Sequence, residues 1–333
     1  MNAAALRRYL TEATGARSAE IDELRRLPDG AVQENWLVAA RLEGGSLAGG
    51  WRLVLRTDGA TALGIGLDRA AEFQVLRAVH AAGISVPQPL LLCEDCAVIG
   101  RPFFLMHFIA GAAAGERIIA GELGGERQAL VARLARELAL LHAITPAHPG
   151  FACLAPPPVD AAEARLEQCA RLLAADGAPH PVAEWGLRWL IRHAPPPAEP
   201  VLCHGDFRTG NFLADAQGFT ALLDWEFAGW SDPDEDIGWF CLGPWRFGAY
   251  GREAGGIAAR AALYRAYEAA SGRRIAAERV RWWEVMAALR WLVIALRQRD
   301  RCLIGGERSL DLALTGRRPA ECEFEILTLT EAA

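Results

Sequence analysis

Residues 202–226 read LCHGDFRTGNFLADAQGFTALLDWE and hold a dense set of chemically useful side chains. A carboxylate, Asp206, and an amide, Asn211, stand five residues apart between short apolar segments. The apolar pair Leu222-Leu223 then leads to a second carboxylate at Asp224. An isolated Asp usually caps a helix or fills a turn. The combined spacing of three oxygen-bearing side chains favours a reactive site instead.

These three side chains meet the needs of phosphoryl transfer. That reaction uses one carboxylate to orient the attacking hydroxyl and accept its proton, and further oxygen ligands to hold Mg²⁺ against the phosphates. We expect Asp206 and Asn211 to share one tight loop. A short strand over Leu222-Leu223 would deliver Asp224 beside them.

Composition excludes several classes of enzyme. The 333 residues carry 35 basic and 41 acidic side chains, for a formal net charge of −6, and every basic residue is Arg. A chain without Lys cannot be a Schiff-base enzyme, a pyridoxal-phosphate enzyme or a Walker-A nucleotide-binding protein. A GC-rich genome would produce the same bias, but Arg-based recognition of phosphate stays available.

Further properties indicate a globular cytoplasmic protein. The chain is 52% hydrophobic and 23% charged, which is ordinary for a folded chain of about two domains. Its scattered Arg residues and mild acidity argue against a nucleic-acid partner. Arg7 and Arg8 interrupt the apolar N-terminus, and the aliphatic run 291–296 is too short to span a membrane, so we expect no signal peptide and no membrane partner. Eight irregularly placed Cys predict reduced thiols, and the single Cys93–Cys96 pair is a weak zinc signal.

Periodicity predicts strands in the first hundred residues and helices afterwards. Residues 32–42 and 51–56 predict a hairpin, and 90–92 and 102–106 two more strands. Asp68 is placed to cap a helix that ends before Gly83. Later helices are predicted over 128–144, 161–173, 181–192, 257–270 and 277–298, whereas the last thirty residues show little pattern. The chain therefore belongs to the α+β class, with a small antiparallel sheet that carries one helix.

The motifs within residues 202–226 also resemble those of a known family. His204-Gly205-Asp206, with Asn211 and then Asp224-Trp225-Glu226, closely resembles the aminoglycoside phosphotransferase and choline kinase-like superfamily over roughly residues 20–300. The run 201–240 is similar to a bacterial branch related to the kinase-like domain of some acyl-CoA dehydrogenases. The resemblance implies a bilobal protein-kinase-like fold, with a nucleotide-binding sheet lobe over 1–107 and a larger, mainly helical lobe over 108–333 for catalysis and substrate binding.

The resemblance implies roles for residues in both lobes. In the second lobe, Asp206 matches the catalytic base, Asn211 and Asp224 match Mg²⁺ ligands, and His204 and Asp236 match residues that brace the catalytic loop. In the first lobe, Arg56 stands where a kinase carries its phosphate-anchoring Lys, and Glu72, sixteen residues later, matches its partner. Val54 shares the strand face of Arg56 and would cover adenine. The remaining nucleotide-binding residues are Gly30 and Gln33 in the covering loop and Met106 and Phe108 in the inter-lobe hinge.

The function implied is an ATP-dependent kinase that moves the γ-phosphoryl group to a hydroxyl of a small molecule with Mg²⁺, and GTP stays open as the donor. A nucleotide-binding pseudokinase or regulatory module is the alternative, because the covering loop has one Gly and the anchor is Arg56. A metal-dependent hydrolase built on His204 would need a second His nearby. Two acceptor classes stay open, a quaternary amine in a Trp cage and an acidic or acyl-type hydroxyl compound. The residues in question are Trp225, Trp230, Trp239, Trp245, Trp282, Trp283 and Trp291 for the cage, and Arg246, Arg281 and Arg290 for the acidic compound.

Overall fold

The structure, a computed structural model, describes residues 1–27, 33–59, 66–306 and 309–331. The chain divides into two units. The first consists of Met1–Gly111, Gly150–Cys153 and Thr220–Phe227, and the second of Ala112–Pro149, Leu154–Phe219 and Ala228–Ala333. Two short later segments therefore belong with the start of the chain, and one of them carries Asp224.

Five antiparallel strands form the sheet of the first unit. They are β1 (Ser18–Arg26), β2 (Gln33–Glu43), β3 (Gly49–Asp58), β4 (Pro89–Cys93) and β5 (Phe103–His107). Their order across the sheet is β1-β2-β3-β5-β4. The β2–β3 hairpin and the β4–β5 pair confirm the strands expected from alternation, and the antiparallel sheet is confirmed with them.

Helices cover both faces of this sheet. Helix α1 (Ala3–Thr14) packs Leu6 and Leu10 against one face, where Leu53 and Leu55 of β3 are fully buried. The opposite face carries Val54 and Arg56, whose cross-strand partners on β5 are Met106 and Phe104. Phe104 lies 5.9 Å, between ring centroids, from Phe73 of helix α2 (Arg69–Ala81). The predicted common face of Val54 and Arg56 is thus the face that meets α2.

Both ends of α2 agree with the sequence prediction. Asp68 accepts a hydrogen bond from Ala71 N at 2.7 Å, which caps the helix, and Gly83 follows its end in a left-handed conformation. A short helix, α3 (Cys96–Ile99), separates β4 from β5. Neither α1 nor β1 follows from the sequence patterns, because α1 is Ala-rich and β1 carries mostly charged, partly exposed side chains.

The second unit is mainly helical. Its helices are α4 (Gly115–Ala120), α5 (Arg127–Leu141), α6 (Ala161–Asp176), α7 (Pro181–Arg192), α8 (Pro233–Cys241), α9 (Arg260–Ser271), α10 (Ala277–Leu303), α11 (Leu310–Thr315) and α12 (Pro319–Glu331). Three short strands accompany them, β6 (Val201–Cys203), β7 (Phe212–Ala214) and β9 (Gly229–Ser231). A further strand, β8 (Phe219–Leu222), falls almost wholly in the segment Thr220–Phe227 of the first unit. The predicted helices agree with α5, α6, α7, α9 and α10 within a few residues, and the α+β class is confirmed.

The last thirty residues are more ordered than their sequence pattern suggests. Ile326 of α12 is fully buried in the core of the second unit, and a Cβ on Gly186 of α7 would lie 3.0 Å from its side chain. Trp185 Nε1 also donates to Thr330 Oγ1 at 3.0 Å. Contacts with α7, rather than a clear apolar period, therefore place α12.

Helix α10 forms the centre of the second unit. Trp282 and Trp283 are 1% and 0% exposed. A Cβ on Gly238 of α8 would lie 2.8 Å from the backbone carbon of Trp283, so α8 and α10 touch through the glycine. None of the described helices is long and apolar enough to cross a membrane.

We expect Gly238→Ala to destabilise the second unit by about 1–3 kcal/mol, because the added methyl group has to displace the backbone of α10. The matched control is Gly229→Ala, since a Cβ there meets nothing within 4 Å. Thermal unfolding of both variants checks the prediction. Equal melting temperatures for the two variants would contradict it.

Candidate active site

A buried guanidinium lies at the centre of the charged groups of the first unit. Arg56, on β3, is 4% exposed, and Glu72, on α2, is 1% exposed. Arg56 Nε lies 2.9 Å from Glu72 Oε1, and Arg56 Nη1 donates to Asp224 Oδ1 at 2.9 Å. The structure therefore brings Arg56 and Glu72 together, as the sequence predicts, and adds Asp224 as a second carboxylate on the same guanidinium.

Arg69 extends this set of ion pairs beyond the predicted residues. Its Nε lies 3.0 Å from Asp58 Oδ1, and its Nη1 contacts Glu72 Oε2. The charges thus alternate in sign along Asp58, Arg69, Glu72, Arg56 and Asp224. Arg69 and Glu72 are three residues apart on α2, and this spacing is the sequence signal that points to Arg69.

The carboxylates keep Arg56 charged despite its burial. Burial by itself would lower the pKa of Arg56, but Glu72, Asp224 and Glu226 outweigh that effect and raise the pKa above its ordinary value. A guanidinium does not lose its proton in proteins. Position 56 therefore carries a permanent cation.

Asp224 occupies an uncommon backbone conformation. Its φ is 59°, in the left-handed region, where Asp is better tolerated than most residues. The strand before it is anchored by Leu222 N, which donates to Ser85 O at 2.8 Å. The side chain of Asp224 is 38% exposed, so the carboxylate that meets Arg56 also reaches solvent. Uncommon conformations of this kind concentrate at functional sites.

Glu226 is a carboxylate near Arg56 and Asp224, and the sequence prediction assigns it no role. Gln33 Nε2 donates to Glu226 Oε2 at 2.8 Å. Burial raises the pKa of Glu226 to about 7, with Asp224 and Glu72 adding to the rise and Arg56 and Gln33 opposing it. Glu226 therefore exchanges its proton near neutral pH.

The other predicted nucleotide-binding residues lie on or beside the sheet, apart from Gly30, which is outside the described residues. Val54 and Met106 are cross-strand partners and are 8% and 7% exposed. Phe108 follows β5, and its backbone N donates to Arg52 O at 2.9 Å. The Arg52 guanidinium lies 4.4 Å from the centroid of the Phe108 ring. Val54 and Met106 thus share a surface, and Phe108 packs on Arg52, which lies on the same face of β3 as Val54.

The loop between β6 and β7 carries the His-Gly-Asp motif of the second unit. Gly205 has φ 76°, a conformation that a residue with a Cβ adopts only at a cost. His204 is fully buried, and its Nδ1 accepts a hydrogen bond from Asp206 N at 3.2 Å. The imidazole therefore contacts the loop that it is predicted to brace.

Asp236, on α8, holds the backbone of the same loop. Its two carboxylate oxygens accept hydrogen bonds from His204 N at 2.7 Å and from Gly205 N at 2.9 Å. His142 Nε2 lies 3.3 Å from Asp236 Oδ2, and His142 Nδ1 lies 2.8 Å from the hydroxyl of Tyr267. Burial alone would raise the pKa of Asp236, but the hydrogen bond and charge of His142, together with His204, hold it below its ordinary value.

Three side chains donate to the carboxylate of Asp206. Asn211 Nδ2 reaches Oδ2 at 2.6 Å, Trp239 Nε1 reaches Oδ1 at 2.8 Å, and Arg208 Nε reaches Oδ1 at 3.1 Å. Asn211 is a predicted site residue, whereas Arg208 and Trp239 are not. Arg208 is only two residues from Asp206, but Trp239 comes from α8, 33 residues away, where no spacing rule points to it.

The predicted residues thus form two groups, one in each unit. Arg56, Glu72, Asp224, Val54, Met106, Gln33 and Phe108 belong to the first unit, and Asp206, Asn211, His204 and Asp236 to the second. The approach of Asp224 to Asp206 and Asn211 stays a prediction.

The Trp residues proposed for a substrate cage mostly belong to the protein interior. Trp239 and Trp245 are 2% and 6% exposed. Cations already lie over both rings, Arg290 at 4.7 Å from the centroid of Trp239 and Arg208 at 4.7 Å from that of Trp245. This arrangement does not favour a quaternary-amine cage, because the chain supplies its own cations to these indoles.

The three Arg residues considered for an acidic acceptor support the backbone. Arg246 Nε donates to Cys241 O at 3.1 Å, and Arg281 Nε donates to Leu329 O at 2.9 Å. Arg290 Nη1 donates to Gly205 O at 2.8 Å. Their guanidinium groups therefore bind backbone carbonyl oxygens of the second unit, and they do not by themselves indicate an acidic substrate.

A buried cluster of His142, Cys203 and Asp236 has the residue types of a metal site, with ligand atoms within 4.8 Å of one another. Metal binding would require a thiolate. Burial, reinforced by nearby carboxylates, raises the pKa of Cys203 well above its ordinary value, and its Sγ donates to Asp232 O at 3.3 Å. The three side chains thus lie within the hydrogen-bonded support of the His-Gly-Asp loop.

We expect Glu226→Gln to reduce the pH dependence of stability. The pKa of Glu226 in the folded protein is about 7 against an ordinary 4.5. Its contribution to stability is therefore complete below about pH 4.5 and is lost as the pH rises through about 7. At pH 8 the variant should exceed the parent in free energy of unfolding by on the order of 2 kcal/mol, and at pH 5 this advantage should largely vanish.

Urea unfolding at both pH values measures the difference. The control is Glu23→Gln, whose side chain is 45% exposed in the parent and pairs only with Arg25 at the surface of β1. Equal responses of the two variants to pH would contradict the prediction.

Comparison with known proteins places these two groups of residues in context. A family model described as "Phosphotransferase enzyme family" matches residues 23–283. A curated relative, acyl-CoA dehydrogenase family member 10 of Mus musculus, is 29% identical over 181 residues, which are 51% of this chain and 16% of the relative. The chain therefore corresponds to a small part of that protein's length.

Solved structures share the fold along the whole chain. A putative aminoglycoside phosphotransferase from Ralstonia eutropha JMP134 aligns with a TM-score of 0.73 at 19% identity and covers 100% of this chain and 99% of its own. A thermostable mutant of aminoglycoside phosphotransferase APH(4)-Ia, in complex with ADP and hygromycin B, aligns with a TM-score of 0.62 at 15% identity and covers 99% of each chain. These likenesses confirm the predicted bilobal kinase-like fold. Because the family model matches most of its residues, the chain belongs to the phosphotransferase enzyme family.

Proposed function

We propose that this protein transfers the γ-phosphoryl group of ATP to a hydroxyl of a small molecule. The observation that carries the proposal is the carboxylate of Asp206, held by Asn211, Arg208 and Trp239 on a loop whose backbone Asp236 fixes. A carboxylate restrained in this way is suited to orient a hydroxyl. The ADP bound by APH(4)-Ia supports an adenine nucleotide as the donor, and GTP stays open.

The reaction assigned to Asp206 is an in-line displacement. The acceptor oxygen forms a bond to the γ-phosphorus while the bond from that phosphorus to the bridging oxygen breaks, and ADP leaves with the electron pair. Asp206 orients the hydroxyl and accepts its proton. Catalysis then depends on positioning and charge, because the protein forms no covalent bond with the phosphoryl group.

We assign Mg²⁺ binding to Asn211 and Asp224. Asn211 uses its Nδ2 to bind Asp206, so the atom that it offers a cation is the amide oxygen. Asp224 offers a carboxylate that is 38% exposed. Hard oxygen donors of this kind suit Mg²⁺, which would neutralise charge on the phosphates when bound.

We assign nucleotide binding to the lobe over residues 1–107, and catalysis and acceptor binding to 108–333. Arg56, fixed by Glu72, supplies the cation for the phosphates, and an Arg fork can meet two phosphate oxygens at once. Val54 and Met106 provide an apolar surface for adenine. The backbone around Phe108 serves the hinge. Gly30 and Gln33 are assigned to the covering loop, with backbone N–H groups near Gln33 approaching the phosphates.

A nucleotide-binding module without transferase activity is the second candidate. The ion pair between Arg56 and Asp224 favours it, since a carboxylate held by a guanidinium is less available to a metal ion. A coupled assay of ADP release over hydroxylated acids, acyl thioesters, sugars, aminoglycosides and choline-like amines separates the two functions. Tight Mg·ATP binding with no transfer across that panel would favour the module.

We expect Asp206→Asn to lower kcat by at least about 100-fold, because the amide cannot accept the hydroxyl proton. Binding of Mg·ATP should stay within about twofold of the parent, since Asp206 is assigned to the acceptor hydroxyl rather than to the nucleotide. Asp22→Asn is the control, as Asp22 is a surface residue paired with Arg41. If Asp206→Asn released ADP as fast as the parent with an acceptor that the parent phosphorylates, the proposed function would be contradicted.

We expect Arg56→Ala to weaken binding of the nucleotide by about tenfold or more, since one phosphate contact is lost. The variant should also unfold at lower temperature, because Glu72 loses one of its two cations in a buried site. Arg56→Lys should fall between the parent and Arg56→Ala in both measurements. Arg41→Ala, in which an exposed Arg of β2 is removed, should change neither, and an Arg56→Ala protein that matched this control would contradict the anchoring role.

A further inference from the structure

The two oxygens of the Asp206 carboxylate are used unequally. Oδ1 accepts two hydrogen bonds, from Trp239 Nε1 at 2.8 Å and from Arg208 Nε at 3.1 Å. Among the described residues, Oδ2 accepts a side-chain hydrogen bond only from Asn211 Nδ2, at 2.6 Å. Each carboxylate oxygen offers about two lone-pair positions. Oδ1 is therefore saturated, and Oδ2 keeps one position for a further proton.

Trp239 is held in place by groups other than Asp206. It is 2% exposed, and its ring centroid lies 5.5 Å from that of Trp245 and 6.4 Å from that of Trp291. The guanidinium of Arg290 covers the ring at 4.7 Å and also donates to Gly205 O at 2.8 Å. One side chain of α10 thus contacts both the indole and the backbone of the loop that carries Asp206, which fixes the position of the N–H relative to that loop.

Trp239 differs from the other donor to Oδ1. The side chain of Arg208 is 26% exposed, so water can replace its bond to Asp206. The indole N–H is neutral, rigid and buried, and it donates to Asp206 Oδ1. A neutral rigid donor fixes the plane of the carboxylate without changing the net charge of the site.

We propose that Trp239 is a positioning residue that occupies Oδ1 of Asp206 and so makes Oδ2 the oxygen that accepts the proton. This inference rests on the proposed function. In the step, the O–H bond of the acceptor breaks and its proton passes to Oδ2. The acceptor oxygen bonds to the γ-phosphorus, and the bond from that phosphorus to the bridging oxygen breaks as ADP leaves with the electron pair. Trp239 touches none of the reacting atoms.

The first test compares two Trp→Phe variants with Mg·ATP alone, using slow ADP release with water as the acceptor. Trp239→Phe removes the N–H and keeps an aromatic ring. Trp185→Phe is the matched control, since it removes an indole N–H that donates to Thr330 Oγ1 at 3.0 Å rather than to Asp206. We expect Trp239→Phe to lower kcat about tenfold while the Kd of Mg·ATP stays within twofold, because positioning acts on the chemical step. Trp185→Phe should keep the parent kcat. Equal kcat for the two variants, or a loss that follows nucleotide affinity, would overturn the proposal.

The second test does not depend on turnover. It uses Trp239→Phe only to identify which indole resonance belongs to Trp239. In ¹H–¹⁵N spectra of the indole groups, the Trp239 resonance should move in Asp206→Asn and stay in place in Asp22→Asn. An unmoved resonance in Asp206→Asn would overturn the contact between Trp239 and Asp206. A parent protein that binds Mg·ATP but releases no ADP, either with water or with any acceptor of the panel described above, would overturn the proposed function. A moved resonance would still support the hydrogen bond between Trp239 and Asp206.

Discussion

The buried guanidinium of Arg56 determines how the charged groups of the first unit are arranged. A cation that is 4% exposed needs carboxylates around it, so α2 has to present Glu72 to β3. The chain also returns to this unit over Thr220–Phe227, which delivers Asp224 from 168 positions away in sequence. Arg69 then balances the second oxygen of Glu72. One strand position thereby fixes the orientation of a helix and the placement of a distant segment.

The second unit also contains a buried charge, the carboxylate of Asp236, which needs hydrogen-bond donors around it. Asp236 accepts hydrogen bonds from two backbone N–H groups of the His-Gly-Asp loop. His142 contacts its carboxylate through Nε2 and contacts the hydroxyl of Tyr267 through Nδ1. Hydrogen-bond donors of this kind favour the ionised form of Asp236. The ionised carboxylate holds the backbone of the loop, while side chains of Asn211, Arg208 and Trp239 hold Asp206. The carboxylate of Asp206 therefore stands on a loop whose backbone is held by buried groups.

Local patterns predicted much of the fold and part of the site. Alternation and caps located the β2–β3 hairpin and α2, and the family resemblance implied the ion pair of Arg56 and Glu72. The prediction failed where a side chain depends on contacts made in three dimensions. Trp239 reaches Asp206 from another helix, α1 and β1 lack a strong apolar pattern, and the Arg and Trp residues considered for an acceptor are engaged within the second unit. Composition alone could not distinguish those internal uses from a substrate site.

The guanidinium at position 56 has a chemical consequence beyond its charge. A Lys amine is a nucleophile whenever it loses its proton, and electrophiles can capture it in that form. A guanidinium keeps its proton and offers no such lone pair. An acylating reagent that reached position 56 would therefore find no amine to capture, because β3 contains no Lys.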